Sequence, residues 1–574
     1  MKQVSHRVDF CIIGGGMSGV CAAVAAARHG TKVLLMQDRP VLGGNASSEI
    51  RMWVCGAHGD NNRETGILEE IQLENLYRNN TPNYQIWDSV LYEKVRFQEN
   101  ITLLLNCTCI DAEMDGNKIK SVKGWQLTNE TFHTIEADYF ADCSGDSVLA
   151  PLTGADFRIG REARAEFDES IEPETADKKT MGMSCLLQIR ETDKPQKFIP
   201  PSWANKYEKE EDLPPQRWHD IHTNFWWIEL GGEQDSIHDT EELKDELLKI
   251  TFGIWDHMKN HGDHGVENWV LDWIGFLPGK RESRRYMGDY IMTQNDVRSE
   301  GKFEDLVAYG GWSMDDHHPA GFYYLGGYPT IFHEAPSPFG IPYRCLYSRN
   351  IENLYFAGRN ISTTHAALSA TRVMGTCSVI GQAMGTAAAI AVKNKLSPRE
   401  VYEKEIDTLR QTLMEDDCYL PFTFRKIGEL TAKAKLSATA GEAENLRNGY
   451  DRPIGENDNG WWGDTSDSVT YSFEQAVQMN ECRIVFDSDL NRNLPNMPCA
   501  YRLGDDSYHV PVTLVKDFKL ILTDENDAVS EITVENNHQR FVKVPLNGKA
   551  KSVRFVPLST WGAEKVHVFS LDIQ

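Results

Sequence analysis

The chain is 574 residues long, enough for two to four domains, and 41% hydrophobic content supplies each with a core. Lys and Arg number 59 against 85 Asp and Glu, a net charge of −26, which removes nucleic acid from the expected partners because a phosphate-tracking surface needs surplus cations. Twelve cysteines lie mostly inside apolar runs without C-x-x-C or C-x₄-C spacing, which excludes a dithiol redox centre and argues against a disulfide framework or a structural zinc site.

The N-terminal residues MKQVSHRVD lack an apolar core, so no export signal is read and a cytoplasmic location is expected. No run of about 18 apolar residues suggests a membrane span. Val8 to Ile13 is an apolar run of strand length, suited to a parallel sheet covered on both faces. Gly14, Gly16 and Gly19 follow at G-x-G-x-x-G spacing: a tight turn, a close backbone approach to a pyrophosphate, and close packing of the next helix. That helix opens at Met17 and Ser18, carries Val20, Ala23, Val24 and Ala27 on one stripe, and ends at Gly30. Lys32 to Met36 is the second strand of a βαβ unit, and Gln37 with Asp38 stands where a ribose hydroxyl would be bound. The usual residue there is acidic; the amide of Gln37 can still accept a hydrogen bond from a ribose hydroxyl.

Arg39-Pro-Val-Leu-Gly43-Gly44-Asn45 brings a second glycine pair. Here the sequence resembles the FAD-binding oxidoreductases of the glutathione-reductase and succinate-dehydrogenase type, and the resemblance implies FAD rather than NAD. It also implies that the next segment passes over the flavin ring, which makes Ser47, Ser48 and Glu49 cofactor neighbours and His58 a candidate active-site residue. His58 can equally be a loop histidine bound to backbone, and Cys55 or His58 a covalent flavin tether. Glu64 to Arg78 reads as an amphipathic helix, and Ile101–Leu105, Lys118–Leu127 and Thr131–Ile135 as a small sheet inserted in the Rossmann framework. Asp138-Tyr-Phe-Ala-Asp-Cys143-Ser-Gly145-Asp146 resembles a strand and glycine turn of the same flavoproteins, near the adenosine half of FAD.

Residues 161–340 read as a substrate domain inserted between the two parts, 1–160 and 341–396, of the FAD-binding domain. Met183–Ile189, Phe225–Leu230 and Trp269–Phe276 are strand candidates, and Asp239 with Glu242 suggests a capping box for a helix with Leu243, Leu247, Ile250, Ile254 and Met258 on one face. Arg281, Arg284 and Arg285 beside Glu282 are either ion-pair scaffolding or substrate contacts. Asp315-Asp316-His317-His318 is a polar cluster bounded by glycines and a proline. Histidine suits proton transfer at neutral pH and a neighbouring carboxylate orients it, so His317, His318 and Asp316 are the catalytic candidates, with His58 in reserve. No metal is assigned, since adjacent loop residues rarely supply a full ligand set.

Leu354-Tyr-Phe-Ala-Gly358-Arg359-Asn-Ile-Ser362-Thr-Thr-His365 and the helical run Ala366 to Lys393 resemble the C-terminal flavin motif of a family known broadly as FAD-dependent oxidoreductases. By that resemblance Gly358, Arg359, Ser362, His365, Arg372 and Gln382 face the cofactor. Residues 397–432 read as a helical linker and 433–574, with short alternating strands, as a β-sandwich resembling the galactose-binding type of discoidin and carbohydrate-binding modules. Trp461 and Trp462 are a sugar platform or packing residues. The fold class expected is α/β: a Rossmann-like FAD-binding domain, an inserted α+β substrate domain and a C-terminal jelly roll. The function expected is hydride transfer between a carbohydrate or related hydroxylated small molecule and flavin N5. A non-redox flavin-dependent lyase or hydratase, or a carbohydrate-binding protein on a degenerate flavin scaffold, are the alternatives. The electron acceptor is not legible.

Overall fold

The computed structural model covers residues 1–574 and divides into two compact units, one of residues 1–57, 81–409 and 495–506, the other of 58–80, 410–494 and 507–574. The first is organised on strand β1 (Lys2–Ile13), whose last residues are fully buried. Helix α1 (Met17–Arg28) follows, then β2 (Val33–Met36), parallel to β1. Strands β3 (Ile101–Leu104), β4 (Cys107–Asp115), β5 (Lys118–Gln126) and β6 (Thr131–Asp142) complete a seven-stranded sheet of order β3-β2-β1-β6-β5-β4, with Leu354–Phe356 pairing β6.

The separate small sheet expected from the sequence is therefore absent. Ile101–Leu104 forms the parallel edge beside β2, and Thr131–Asp142 is one strand in parallel register with β1 from Lys2 to Ile13. The long β6 carries the antiparallel β5 and β4 on its far side, so one sheet serves both purposes.

The helical run expected over 366–393 is two helices, His365–Thr371 and Met374–Asn394, broken where Val373 turns to extended backbone. By length and composition Met374–Asn394 passes for a membrane span, but 94% of its apolar window is buried inside the protein. It packs on α1: a Cβ on Gly381 would come 2.1 Å from the Ser18 carbonyl oxygen, and one on Gly385 2.2 Å from that of Ala22.

Residues 161–340 contribute their own hydrophobic cluster, in which Leu243, Leu247, Ile250, Ile254 and Met258 of helix Thr240–Asn260 meet Met183, Leu187 and Ile189. The capping box does not form: Asp239 makes no side-chain cap and instead accepts the Asp235 N–H. Phe225–Leu230 is not a strand, because Asn224 and Phe225 take left-handed backbone (φ 43° and 60°) and only Leu230 bridges to Met183. The loop expected at 315–318 is in part strand Met314–His317, antiparallel to Thr330–His333.

In the second unit, Val469–Phe486 and Phe541–Thr560 are long strands whose register shifts let one antiparallel sheet wrap a single core. Leu73 and Leu76, from helix Ile67–Arg78, belong to this core, so residues 58–80 leave the N-terminal domain in which the sequence placed them. Trp461 is buried there, whereas Trp462 is half exposed and stacks on His567 at 3.9 Å. The helical linker expected over 397–432 is helix from Pro398 to Glu415 and again only from Glu429 to Lys433.

Two outcomes follow from this packing. Gly381→Ala should lower the free energy of unfolding by about 1–3 kcal/mol, the usual cost of overpacking a close helix pair, measured by chemical denaturation. Truncation at residue 433 should yield aggregating protein, read by size-exclusion chromatography, because it strips the core from Leu73 and Leu76 while leaving their helix in the chain.

Candidate functional site

A cavity of about 400 Å³ lies at the ends of β1, β2 and β6, lined wholly by the first unit. Its rim is two facing glycine loops: Gly43 N–H donates to the Gly15 carbonyl at 2.8 Å, and Gly16 bridges Gly43. A Cβ on Gly16 would enter open space, its nearest neighbour being the Gly44 Cα at 4.0 Å, so the bare backbone here leaves room for a ligand. The N-terminus of α1 opens into the same space with no side-chain cap and no acid in its first turn. Its free N–H groups and dipole favour an anion. Val373, Met374 and Cys377 bring the start of a second helix, also without a side-chain cap, to the cavity.

Charge reinforces this polarity. Asp146 is paired with both Lys280 (2.9 Å) and Arg359 (2.8 Å). Burial alone would raise its carboxyl, but the two cations outweigh burial and hold it down at about 2. Two cations against one carboxylate leave a positive charge toward the cavity, where Arg359 Nε has no hydrogen-bond partner. Gln37 is buried, its Oε1 accepting the Gly15 N–H at 2.7 Å and its Nε2 donating to the Val41 carbonyl. It lines the cavity, yet its amide braces the glycine turn.

The opposite wall carries a second charged array. Arg281 and Arg372 line the cavity with Trp53 and Trp226. Arg281 donates to Ser184 Oγ (2.9 Å) and to the Trp226 carbonyl (2.8 Å), and stands 3.5 Å from Glu229. Arg372 donates to the backbone and side-chain oxygens of Asp315 at 3.1 Å each. His317, 2% exposed, closes the chain behind them, with Nδ1 2.6 Å from Glu229 and Nε2 3.3 Å from Asp315. Burial would lower the His317 pKa; the charges of Glu229 and Asp315 outweigh it and raise the imidazole above its ordinary value. The two guanidinium groups balance the two carboxylates, and protonation of His317 would add one positive charge.

Of the residues singled out for the cofactor, Gly14, Gly16, Met17, Ser18, Gln37, Asp38, Arg39, Gly43, Gly44, Asn45, Cys143, Gly145, Gly358, Arg359 and Arg372 line the cavity. The others do not. Gly19 packs under the Gly14 carbonyl, and Ser47 is buried with its Oγ accepting the Glu49 N–H. The Ser48 N–H donates to Asp88, and Ser362 Oγ donates to the Tyr290 carbonyl. Gln382 is buried within its helix. His365 is locked between Glu282 (2.9 Å) and Asp316 (3.2 Å), which removes Asp316 from the cavity as well.

Among the substrate candidates only Arg281 reaches the cavity. Arg285 is fully buried beside Glu162 and Glu282, and Arg284 lies over the Phe157 ring, donating to the Asp146 carbonyl. His318 stacks on Tyr324 at 3.9 Å, away from the lining, and His58 belongs to the second unit. Sequence reasoning passed over Asp146, Lys280 and Glu229. Lys280 and Asp146 stood inside motifs already noted and were legible as charges beside glycine turns; Glu229 had no signal, being 88 positions from the histidine it holds.

Glycine loops that leave backbone bare, two uncapped helix starts and a net positive wall define a flavoprotein-type dinucleotide site on a Rossmann-like sheet. The family model described as FAD dependent oxidoreductase matches residues 9–413, more than half of the chain. The chain belongs to that family, and its cofactor is FAD. No curated protein matches. Among solved structures, FrdA of E. coli quinol fumarate reductase aligns at 13% identity over 75% of this chain and 76% of its own, with a TM-score of 0.29. A family 32 carbohydrate-binding module of Streptococcus pneumoniae EndoD aligns at 15% identity over 25% of this chain and 94% of its own, with a TM-score of 0.19. The family 32 module of C. perfringens NanJ, solved with galactose, aligns at 13% over 25% and 94%, with a TM-score of 0.17. Superpositions this loose carry no argument about ligand or activity.

The bare backbone at Gly16 makes a sharp expectation. Gly16→Val should fold, since no atom stands within 4 Å of the new Cβ other than at the Gly44 Cα, but should purify without bound flavin, as read from the visible spectrum.

Proposed function

We propose that this FAD-dependent oxidoreductase moves a hydride between flavin N5 and the C–H of a hydroxylated, carboxylate-bearing small molecule of the sugar-acid class. The observation that carries the reading is the Arg281–Glu229–His317–Asp315–Arg372 chain, whose two guanidinium groups form one wall of the cavity. Bound FAD supplies a two-electron acceptor or donor. The protein's part is binding and proton traffic. Gly16, Ser18, Gly44, Asn45, Lys280 and Arg359 are the residues that hold the cofactor.

Arg281 and Arg372 present fork-shaped donors that match a carboxylate. Trp53 and Trp226 offer flat apolar surface to the C–H face of a sugar ring. His317 does not itself line the cavity, so the hydroxyl proton passes to the array behind the arginines through one bridging water. Its accepting form is the neutral imidazole of His317, with Glu229 on Nδ1 fixing the ring. His318, stacked on Tyr324, has no such carboxylate pair.

Anaerobic reduction of the flavin by a panel of sugars and sugar acids tests this reading. The rate should rise with pH through a limb placed above the ordinary histidine range, since a base acts when deprotonated and the flanking carboxylates raise His317. Asp315→Asn removes one of those charges and should move the limb to lower pH. His317→Asn should keep the yellow colour and the substrate-induced spectral shift, slow reduction by about 10²–10⁴-fold and flatten the limb. Arg281→Met should weaken the spectral shift for acids more than for neutral sugars. Flavin that no member of the panel bleaches would favour a non-redox use of the cofactor; a His317→Asn rate within about tenfold of the parent would make the histidine structural.

A further inference from the structure

Outside the flavin cavity, three histidines converge on one carboxylate oxygen. Glu210 Oε1 lies 3.1 Å from His257 Nε2, 3.7 Å from His264 Nε2 and 3.9 Å from His219 Nδ1. The ligand atoms of Glu210, His257 and His264 all fall within 4.8 Å of one another. The rings sit 5.1, 4.7 and 4.9 Å apart, centroid to centroid. Donors on a tetrahedral zinc at about 2.0–2.1 Å are roughly 3.3 Å from each other, with imidazole centroids about 5 Å apart. Glu210, His257 and His264 approach the spacing of a first coordination sphere, and His219 stands at its edge, its Nδ1 3.9 Å from Glu210 Oε1.

The hydrogen bonds agree. His257 is 1% exposed and its Nδ1 lies 2.7 Å from the Tyr207 carbonyl, to which it donates. That bond fixes the tautomer and turns the Nε2 lone pair toward Glu210, the supporting arrangement of a metal-bound histidine. Without a cation, a ring lone pair and a carboxylate oxygen face each other at 3.1 Å, which is repulsive unless a proton intervenes. The Nε2 atom of His264, the one that faces Glu210, is buried without a hydrogen-bond partner. Protonating all three rings would crowd three positive charges around one carboxylate; a single divalent ion satisfies the four side chains together.

The local fold is built to bring these groups together. Helix Thr240–Asn260 ends three residues after His257, and the chain turns back through Gly262 (φ 124°) and Gly265 (φ 66°), which places His264 against the helix end. A Cβ on Gly262 would come 2.8 Å from His264 Nε2, so glycine keeps that ring position open. Glu210 opens a short 3-10 turn, and His219 follows nine residues later.

We propose that Glu210, His219, His257 and His264 form a binding site for one Zn²⁺ ion, a clip that ties segment 207–219 to the end of helix Thr240–Asn260. Three imidazoles and one carboxylate suit zinc in preference to magnesium or calcium, which take all-oxygen ligand sets. Four protein ligands leave no open position, so the ion is structural. It steadies the segment that runs on to Trp226 and Glu229.

The test uses the full chain, purified without metal-affinity resin. Elemental analysis should find about one zinc per chain, and protein dialysed against EDTA should take up one equivalent of Zn²⁺ by calorimetry, with a rise in Tm. Co²⁺ in its place should show the visible bands of a tetrahedral site. His219→Gln, at a position near the surface, and the pair Glu210→Gln with His264→Gln should each weaken Zn²⁺ uptake by at least about tenfold, the scale of losing even a supporting partner. Circular dichroism confirms that each variant is folded. Wild-type protein that takes up no zinc after EDTA treatment overturns the proposal, a result that needs no variant. Equal uptake by wild type and folded variants overturns it too.

Discussion

Placing the negative charge of a dinucleotide inside a protein of net charge −26 is the constraint on which the first unit depends. Long-range attraction is of no help to so acidic a chain, so the site is built from short-range parts. Backbone N–H groups at two uncapped helix starts supply fixed dipoles, and Lys280 and Arg359 outnumber Asp146 between them. The glycine loops then bring the backbone close enough for these partial charges to act. The central elements of the unit serve that approach: β1 and β6 set the floor, and Gly381 and Gly385 let the long helix lie against α1.

The array on the other wall obeys the same rule with side chains. Glu229, Asp315 and His317 are nearly sealed from solvent, where isolated charges would be costly; each is paired on both sides. Their arrangement holds Arg281 and Arg372 in place. A buried chain of alternating charges tolerates little change, since removing one member strands its neighbours. Rigid placement of guanidinium forks is what recognition of a flat, charged substrate group requires.

Buried thiols complete the picture of a site whose redox chemistry is left to the cofactor. Five cysteines line the cavity: burial pushes Cys107, Cys109 and Cys377 up to about 12 and raises Cys143 as well, while Cys55 is only part-buried. None of the four buried thiols is a thiolate at neutral pH, so none of them competes as a nucleophile.

The βαβ unit, the glycine pair after it and the Arg359 segment were readable in the sequence because each is local: a strand, a tight turn and a helix start within a few tens of residues, with spacing set by backbone geometry. The apolar face of helix Thr240–Asn260 was readable for the same reason. What the sequence alone did not decide was which polar residues meet. His317 and His318 are neighbours in sequence, yet the strand pairing with Thr330–His333 sends one into the charged array and leaves the other on Tyr324. His365 sits in a flavin-like motif and is nevertheless drawn to Glu282 and Asp316, because a buried imidazole with two carboxylates in reach is better satisfied there than at the cavity. Helix Ile67–Arg78 has an apolar stripe that any core would accept, and only the tertiary fold assigned it to the core of the second unit. Period and spacing report local geometry; partners across 88 or 134 positions are chosen by packing and charge, which act only once the chain is folded.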